Sequence, residues 1–356
     1  MNKIGWVQFS FVLVISRIFS EATTIPSSNI VYGMQRYSVI LLSFILAFLV
    51  YIPLFLIAKN NEGKCFLELT AEKSKATAIA FGIVLVIFLA YLMTETTVRL
   101  DYYATSTIFD AAPAIILLLF VAAACIYGTV KGVEAVTRTG IIISAVFFLL
   151  LLLVAVASVP LIETDHLYPA FFDRPNEFLS EVIAEFSRNS EAVIFAVLCR
   201  RVRKDSEKTV ILSLSLSCGI LLLMTFFYNT VLGEYLNEVN FPFYTLSSVA
   251  DISVLQRLNG LDVVVWLMAA IMKLSLFAIA IREIFMIVFG NMTLSLWAGI
   301  LSPVITSVLT YFITGEPKIF KLMIGIRETG IPTLLTVGIL PLAALIIGKR
   351  RKKNVG

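Results

Sequence analysis

Charge is scarce in this sequence. Only 15% of its 356 residues are Asp, Glu, Lys or Arg, and histidine occurs once, at His166. An ordinary globular domain is about 25% charged. So little polar surface cannot coat a water-soluble particle of this length, which excludes soluble enzymes, nucleic-acid binders and disordered scaffolds. Catalytic signatures are missing too. There is no GxGxxG or phosphate-binding loop and no HExxH, and a lone histidine completes neither a serine–histidine–aspartate set nor a histidine-based metal site. Nothing points to a cofactor or a metal. Cysteine occurs four times, at Cys65, Cys125, Cys199 and Cys218, never spaced as CxxC. These read as free thiols, with neither a zinc site nor a disulfide framework.

What the chain does have is apolar residues, 59% of the total, with a mean hydropathy of +0.94. Lipid must therefore be part of its solvent. The net charge of +4 needs no nucleic acid to explain it, because basic residues gather on the cytoplasmic side of membrane proteins.

A bilayer core about 30 Å thick takes roughly 20 apolar residues per helix. Six runs satisfy this without a charge: Tyr37–Ala58, Ala111–Val130, Thr139–Ile162, Thr209–Gly233, Ile284–Gly315 and Gly330–Gly348. Ala76–Thr94 does so up to Glu95. Three further runs are interrupted: Ile4–Pro26 by Arg17 and Glu21, Glu177–Cys199 by Glu181, Glu185, Arg188 and Glu191, and Asp262–Ile281 by Lys273. The expectation is an all-α membrane protein of ten transmembrane helices in one polytopic domain, residues 1–356, with a basic tail at 349–356. The opening run lacks the basic start and small-residue cleavage site of a signal peptide and reads as the first helix.

Basic residues set the orientation. With the N-terminus inside, the inner loops carry Lys59, Lys64, Lys73 and Lys75, then Lys131 and Arg138, then Arg200, Arg201, Arg203, Lys204 and Lys208. Lys349 to Lys353 join them, so both termini are expected in the cytoplasm. Outer loops carry few: Arg36, Arg99, Arg174, Arg257, Lys318, Lys321 and Arg327. The stretch Phe243–Leu258 is amphipathic and reads either as a short helix over the outer mouth or as a plain surface loop.

A charge in hydrocarbon costs several kcal/mol unless it is paired or faces water. The charged spans are the first (Arg17, Glu21), third (Glu95), sixth (Glu185, Arg188) and eighth (Lys273). First and sixth are five apart, as are third and eighth. Many transporters consist of two inverted repeats with the binding site at the midplane, where discontinuous helices meet. Residues 4–162 and 177–348 are expected to be those repeats. Ser16–Thr24 and Glu185–Ser190 are the expected breaks, with their Ser, Thr and Asn side chains satisfying freed backbone groups.

Spacing also places Arg17 with Glu21 on one helix face, Glu181 with Glu185 and Arg188 on another, and Asp262 with Trp266 and Lys273 on a third. Candidate ligand-binding residues are Arg17, Ser20, Glu21, Thr23, Glu95, Glu185, Arg188, Asn189 and Lys273. Each charged group also admits a structural role. Arg17–Glu21 and Glu185–Arg188 can be packing pairs, Lys273 can neutralise Glu95 or Glu185, and Glu95 can pair with Arg99 near the outer end of its helix. Glu134, Glu181 and Glu191 lie nearer span ends and are expected to be solvated. His166 is expected in an exposed loop, and Gly128 with Gly132 is a weak helix-packing signal.

Several segments resemble a known family. They are the helix ending at Ile25–Pro26, the run Gly132-Val-Glu-Ala-Val-Thr-Arg138, and His166-Leu-Tyr-Pro169. The longest is Phe241-Pro-Phe-Tyr with Leu255-Gln-Arg-Leu-Asn-Gly-Leu-Asp-Val-Val-Val-Trp266, followed by Lys273. In order and spacing, over the whole chain, they resemble the permease-like B subunit of bacterial spore germinant receptors, within the amino acid–polyamine–organocation transporter superfamily. The resemblance implies a leucine-transporter-type fold with five-plus-five inverted repeats and broken helices one and six. It also implies a small amino-acid-like nutrient as ligand, partner A and C subunits, a spore inner-membrane location and germination downstream. One departure stands out. Family members carry glycine at the first-helix break, where this chain has Arg17-Ile-Phe-Ser-Glu-Ala-Thr-Thr24, and glycine tolerates strained backbone that other residues do not.

Three functions follow for weighing. The first is a binding and signalling subunit in which Arg17 holds a ligand carboxylate and Glu185 or Glu95 an amine. The second is an amino-acid secondary transporter using the same site in alternating access. The third, a membrane-embedded enzyme, lacks the nucleophile or metal cluster it needs.

Overall fold

The computed structural model describes residues 4–23, 33–60, 63–107, 114–167, 175–203, 205–249 and 258–353. Pro26, Arg174, Lys204 and Arg257 lie outside them, as does the side chain of His166.

Apolar periodicity becomes helix almost throughout. In chain order come α1 (Trp6–Ala22), α2 (Met34–Val50), α3 (Ile52–Asn60), α4 (Phe66–Ala71), α5 (Lys75–Thr107), α6 (Ala114–Lys131), α7 (Val133–Ser158) and α8 (Pro175–Ser187). There follow α9 (Ala192–Leu198), α10 (Glu207–Phe227), α11 (Pro242–Val249), α12 (Leu258–Phe289), α13 (Met292–Thr314), α14 (Pro317–Glu328), α15 (Ile331–Thr333) and α16 (Leu340–Lys353). No strand occurs among the described residues, only a single parallel bridge between Ile4 and Val202.

Five of these helices are long and apolar enough to cross a bilayer alone: those within 75–107, 133–161, 207–236, 260–289 and 292–314. Two bent pairs raise the number to seven, α2 with α3 at 44° and α14 with the run Ile331–Ile347 at 55°. The expected ten is larger because α1 and α6 are short and α8–α9 is interrupted by charge. Bulky apolar side chains such as Ile87, Leu119, Leu152 and Phe312 are more than half exposed on the outside of the bundle, where lipid replaces water. The middle is α12, buried over 78% of its apolar window against 28% for α13.

Several boundaries differ from the sequence reading. Helix α5 runs past the apolar stretch that ends at Thr94 as far as Thr107, and it carries the Glu95–Arg99 pair and Asp101 inside it. Arg99 and Arg327 neutralise Glu95, and Asp101 accepts from the Thr314 hydroxyl, so the helix runs on. The eighth span ends at Phe289 rather than Ile281, and Gly290 (φ 66°) makes the turn. That positive φ suits glycine, and Asn291 caps α13 by accepting from the Leu294 amide at 3.1 Å. The α2–α3 bend comes at Tyr51–Pro53, where proline has no amide to donate to the preceding turn.

The amphipathic stretch after Phe243 is in part the helix α11, and the rest of it, 250–257, lies outside the described residues. The first break was expected at Ser16–Thr24, but α1 stays helical to Ala22 with Thr23 as its C-cap, and Thr24 lies outside the described residues. The hydroxyls explain this. Ser16 and Thr23 donate back to Val12 and Phe19 carbonyls at 2.8 Å, so they reinforce the helix instead of replacing it. The sixth span is broken, as expected. Helix α8 ends at Ser187 and α9 begins at Ala192.

One end of the bundle is basic and stitched shut. The Ile4 amide donates to the Arg201 carbonyl, and the Arg203 amide donates to the Ile4 carbonyl, both at 2.8 Å. Arg201 pairs with Glu283 of α12, and Arg200 pairs with Glu68 of α4. These contacts tie the entry to α1, the exit from α9, and α12 into one latch.

Candidate functional site

The break between α8 and α9 lies against α1, α2 and α12, and the buried charges collect around it. Its backbone is wound into tight turns: amides of Asn189 and Ser190 donate three residues back, to Phe186 and Ser187, at 3.0 and 3.2 Å. Two carbonyls are satisfied from outside. Tyr51, the C-cap of α2, donates its hydroxyl to the Asn189 carbonyl at 2.5 Å. Thr333 donates to the Ser187 carbonyl at 3.2 Å. Side chains from neighbouring helices thus do most of what was expected of the break's own Ser and Asn.

Arg17, 3% exposed, reaches across from α1. It pairs with Glu185, donates Nε to Asn189 Oδ1 at 3.1 Å, and lies 3.4 Å from Glu21 one turn on. Arg36, on the first turn of α2, gathers three carboxylates: Glu181 at 2.7 Å, and Glu21 and Glu185 at 2.8 Å each. Arg188 adds Glu185 at 2.8 Å and approaches Glu181 and the half-exposed Glu328 at 3.5 and 3.6 Å.

A second group centres on Lys273. Its ammonium donates to Glu191 Oε1 at 2.7 Å, to the Ser16 carbonyl at 3.2 Å and to Ser20 Oγ, while Ser20 donates to Glu191 at 2.8 Å. The rings of Phe19 and Phe277 lie 5.7 and 5.8 Å from that ammonium, close enough for cation–π attraction. A third group joins Glu95 to Arg99 at 2.8 Å and to Arg327 at 2.5 Å. Arg327 bridges back to Ser190 at 3.3 Å, and Arg99 donates to the Thr23 carbonyl at 3.3 Å, closing the C-terminus of α1.

The nine sequence-derived residues divide accordingly. Arg17, Glu21, Glu185, Arg188 and Asn189 share the first group, Ser20 and Lys273 the second, and Glu95 the third. Thr23 joins only through its carbonyl. Two expectations are corrected: Glu181 and Glu191 are buried, 5% and 4% exposed, because each meets a cation rather than solvent. Arg36 and Arg327, read as loop residues, also belong inside. A signal for them existed. Counting Glu181 and Glu191 as buried leaves too many carboxylates for Arg17, Arg188 and Lys273 to balance.

Every charged group in this cluster is answered by another. Beside Arg17 the remaining space is about 20 Å³, bounded by Leu13, Tyr51, Asn189, Glu191 and Ser217 among others. That holds a water molecule but no amino acid, so the site is closed on itself. No set of metal-ligating side chains occurs among the described residues, and the four cysteines stand as free thiols.

The family model for the spore germination protein matches residues 3–317. The chain belongs to the spore germination protein family. No curated protein matches this chain in sequence. In three dimensions it is similar to a Na+-coupled sialic acid symporter in its substrate-bound, outward-open state, with a TM-score of 0.64 and 14% identity, over 95% of this chain and 79% of the symporter. Identity that low speaks for the fold alone. The fold is the leucine-transporter type, the architecture the sequence led one to expect, and this member of the family is a permease-like membrane protein rather than an enzyme.

Proposed function

We propose that this chain is the membrane-embedded binding and signalling subunit of a spore germinant receptor, and that it takes a small zwitterionic, amino-acid-like nutrient at the network around Arg17, Glu185 and Lys273. The observation that carries this reading is the closed, mutually neutralising set of charges at the α8–α9 break. A zwitterion adds no net charge, so it can exchange into such a network where an ion cannot. Its carboxylate replaces Glu185 on Arg17, whose planar fork suits a bidentate carboxylate better than lysine does. Its ammonium takes the carboxylate released at Glu185 or Glu191. The exchange loosens what holds α1, α2, α8 and α12 together, and the ligand then favours a second packing of the bundle by its differential affinity. Partner A and C subunits receive that change, in the spore inner membrane, with both termini of this chain cytoplasmic. The two repeats that move against each other are residues 4–162 and 177–348.

The transporter fold favours a second reading, an amino-acid permease working by alternating access. Lys273 places a tethered ammonium among the oxygens of Ser16, Ser20 and Glu191, near where coupling sodium sits in related folds. A permease built this way runs without sodium, by proton coupling through Glu185 or Glu95 or by exchange.

Radiolabelled L-amino acids, screened first for equilibrium binding and then for uptake into proteoliposomes, separate the two. The receptor reading expects saturable binding without concentrative uptake. Concentrative uptake by the isolated chain makes it a permease. Arg17→Lys is expected to weaken binding more than tenfold while the protein still inserts, and unchanged affinity reduces Arg17 to a packing residue.

A further inference from the structure

The basic end of the bundle holds a cavity that the central network does not use. Its volume is about 430 Å³, and it lies among the end of α6, the start of α7, the turn after α9 and the far part of α12. Small-molecule sites commonly span about 300–1,000 Å³. Four cations line it: Lys131 from α6, Arg138 from α7, Arg201 from the turn after α9 and Arg282 from α12. Two carboxylates line it with them, and both are taken. Glu134 accepts from Arg138 at 2.5 Å, and Glu283 holds Arg201. Arg282 meets only a carbonyl, that of Thr129 at 3.2 Å, and the Lys131 ammonium lies 5.4 Å from the Tyr127 ring. Two positive charges thus stay without a carboxylate among the described residues, so the cavity suits an anion.

The neighbouring surface specifies which anion. On α6, Ile116, Phe120 and Tyr127 are each more than half exposed, and their spacing puts them on one face with Lys131. On α7, Ile142, Leu149 and Val156 are exposed to the same degree, on one face with Arg138. The two helices pack against each other. Each apolar stripe therefore leads up to a cation that lines the cavity. Tyr127 marks the level, because exposed tyrosine collects where hydrocarbon meets headgroups. A soluble phosphate would use the cations and leave the stripes idle, whereas a phospholipid uses both. A choline or ethanolamine headgroup would bring its own cation against Lys131 and Arg282, so the fit is to a headgroup of net negative charge. Basic pockets between transmembrane helices bind headgroups of that kind.

We propose that this vestibule is a binding site for one anionic phospholipid. Lys131 and Arg282 hold its phosphate, Arg138 stands at the rim, and the acyl chains lie along the outer faces of α6 and α7. This inference stands independently of what the central network binds.

The test uses the full-length protein, delipidated in a neutral detergent and titrated with dioleoyl phosphatidylglycerol, dioleoyl phosphatidylcholine or glycerol phosphate, with bound copies counted by native mass spectrometry. One copy of phosphatidylglycerol is expected to bind at least tenfold more tightly than phosphatidylcholine, with glycerol phosphate not retained and unable to displace it. Lys131→Gln with Arg282→Gln is expected to bring the two lipids within threefold of each other. Lys131→Gln with Arg138→Gln changes only exposed side chains and is expected to lower the preference at least threefold, which serves if the Arg282 variant does not fold. Lys321→Gln in α14, outside the vestibule, is expected to change nothing. Equal binding of the two lipids overturns the proposal, as does a preference that survives the double variants. Glycerol phosphate that displaces the lipid at equal concentration also overturns it, and makes the vestibule a site for a soluble phosphate ester.

Discussion

At the scale of single residues, the protein turns on ion pairs that water does not reach. Lys273 holds Glu191 at 2.7 Å with both side chains about 95% buried or more. Removing one partner of a buried pair leaves an uncompensated charge and costs about 3–5 kcal/mol, whereas removing both can be nearly neutral. Lys273→Met is therefore expected to lower stability by about that amount in denaturant unfolding, and Lys273→Met with Glu191→Gln to recover most of it. Equal losses in the single and double variants would show that packing, not charge, sets the cost. Arg17, Glu185 and Lys273 were legible because a charge inside an apolar run is conspicuous by itself. Glu191 and Arg327 were not, since their partners lie 82 and 232 residues away in the chain and local spacing says nothing about such meetings.

At the scale of elements, a broken helix and a latch matter most. The break in the sixth span was readable from the crowding of Glu185, Arg188, Asn189 and Ser190. The continuity of α1 through Ser16–Ala22 was not, because the same Ser and Thr side chains can either replace backbone hydrogen bonds or back-bond along a helix. Which they do depends on what packs around them. The latch at the basic end rests on Glu283 accepting from Arg201, beside the paired backbone hydrogen bonds of Ile4 with Arg201 and Arg203. Glu283→Gln weakens a charge-assisted bond and is expected to speed hydrogen exchange of the Ile4 and Arg203 amides at least tenfold, with little change at amides within α13. Unaltered exchange at those two amides would mean that the backbone bridge closes this end unaided.

At the scale of the whole molecule, the distribution of basic residues predicts orientation. Ile4, Arg138, Arg200, Arg201 and Glu283 gather at one end, around a vestibule of about 430 Å³ near the start of α7. If that end is cytoplasmic, a cysteine replacing exposed Lys64 is expected to react with a membrane-impermeant maleimide only after cells are opened. A cysteine replacing exposed Lys321 is expected to react on intact cells. The reverse pattern inverts the topology and places both termini outside. The native thiols interfere little, three of the four being buried.

Hydropathy is a local property that sums along the chain, so the sequence alone determined that this protein lives in lipid, where most spans run, and which spans carry polar groups into the bilayer. Charge pairing is a property of positions in space. Only the tertiary structure decided that Arg36 faces three carboxylates, that Glu191 rather than Glu95 or Glu185 neutralises Lys273, and that Asp262 meets a phenol instead of a cation. The Coulomb energy that selects such partners falls off within a few ångströms, and chain distance does not measure that separation.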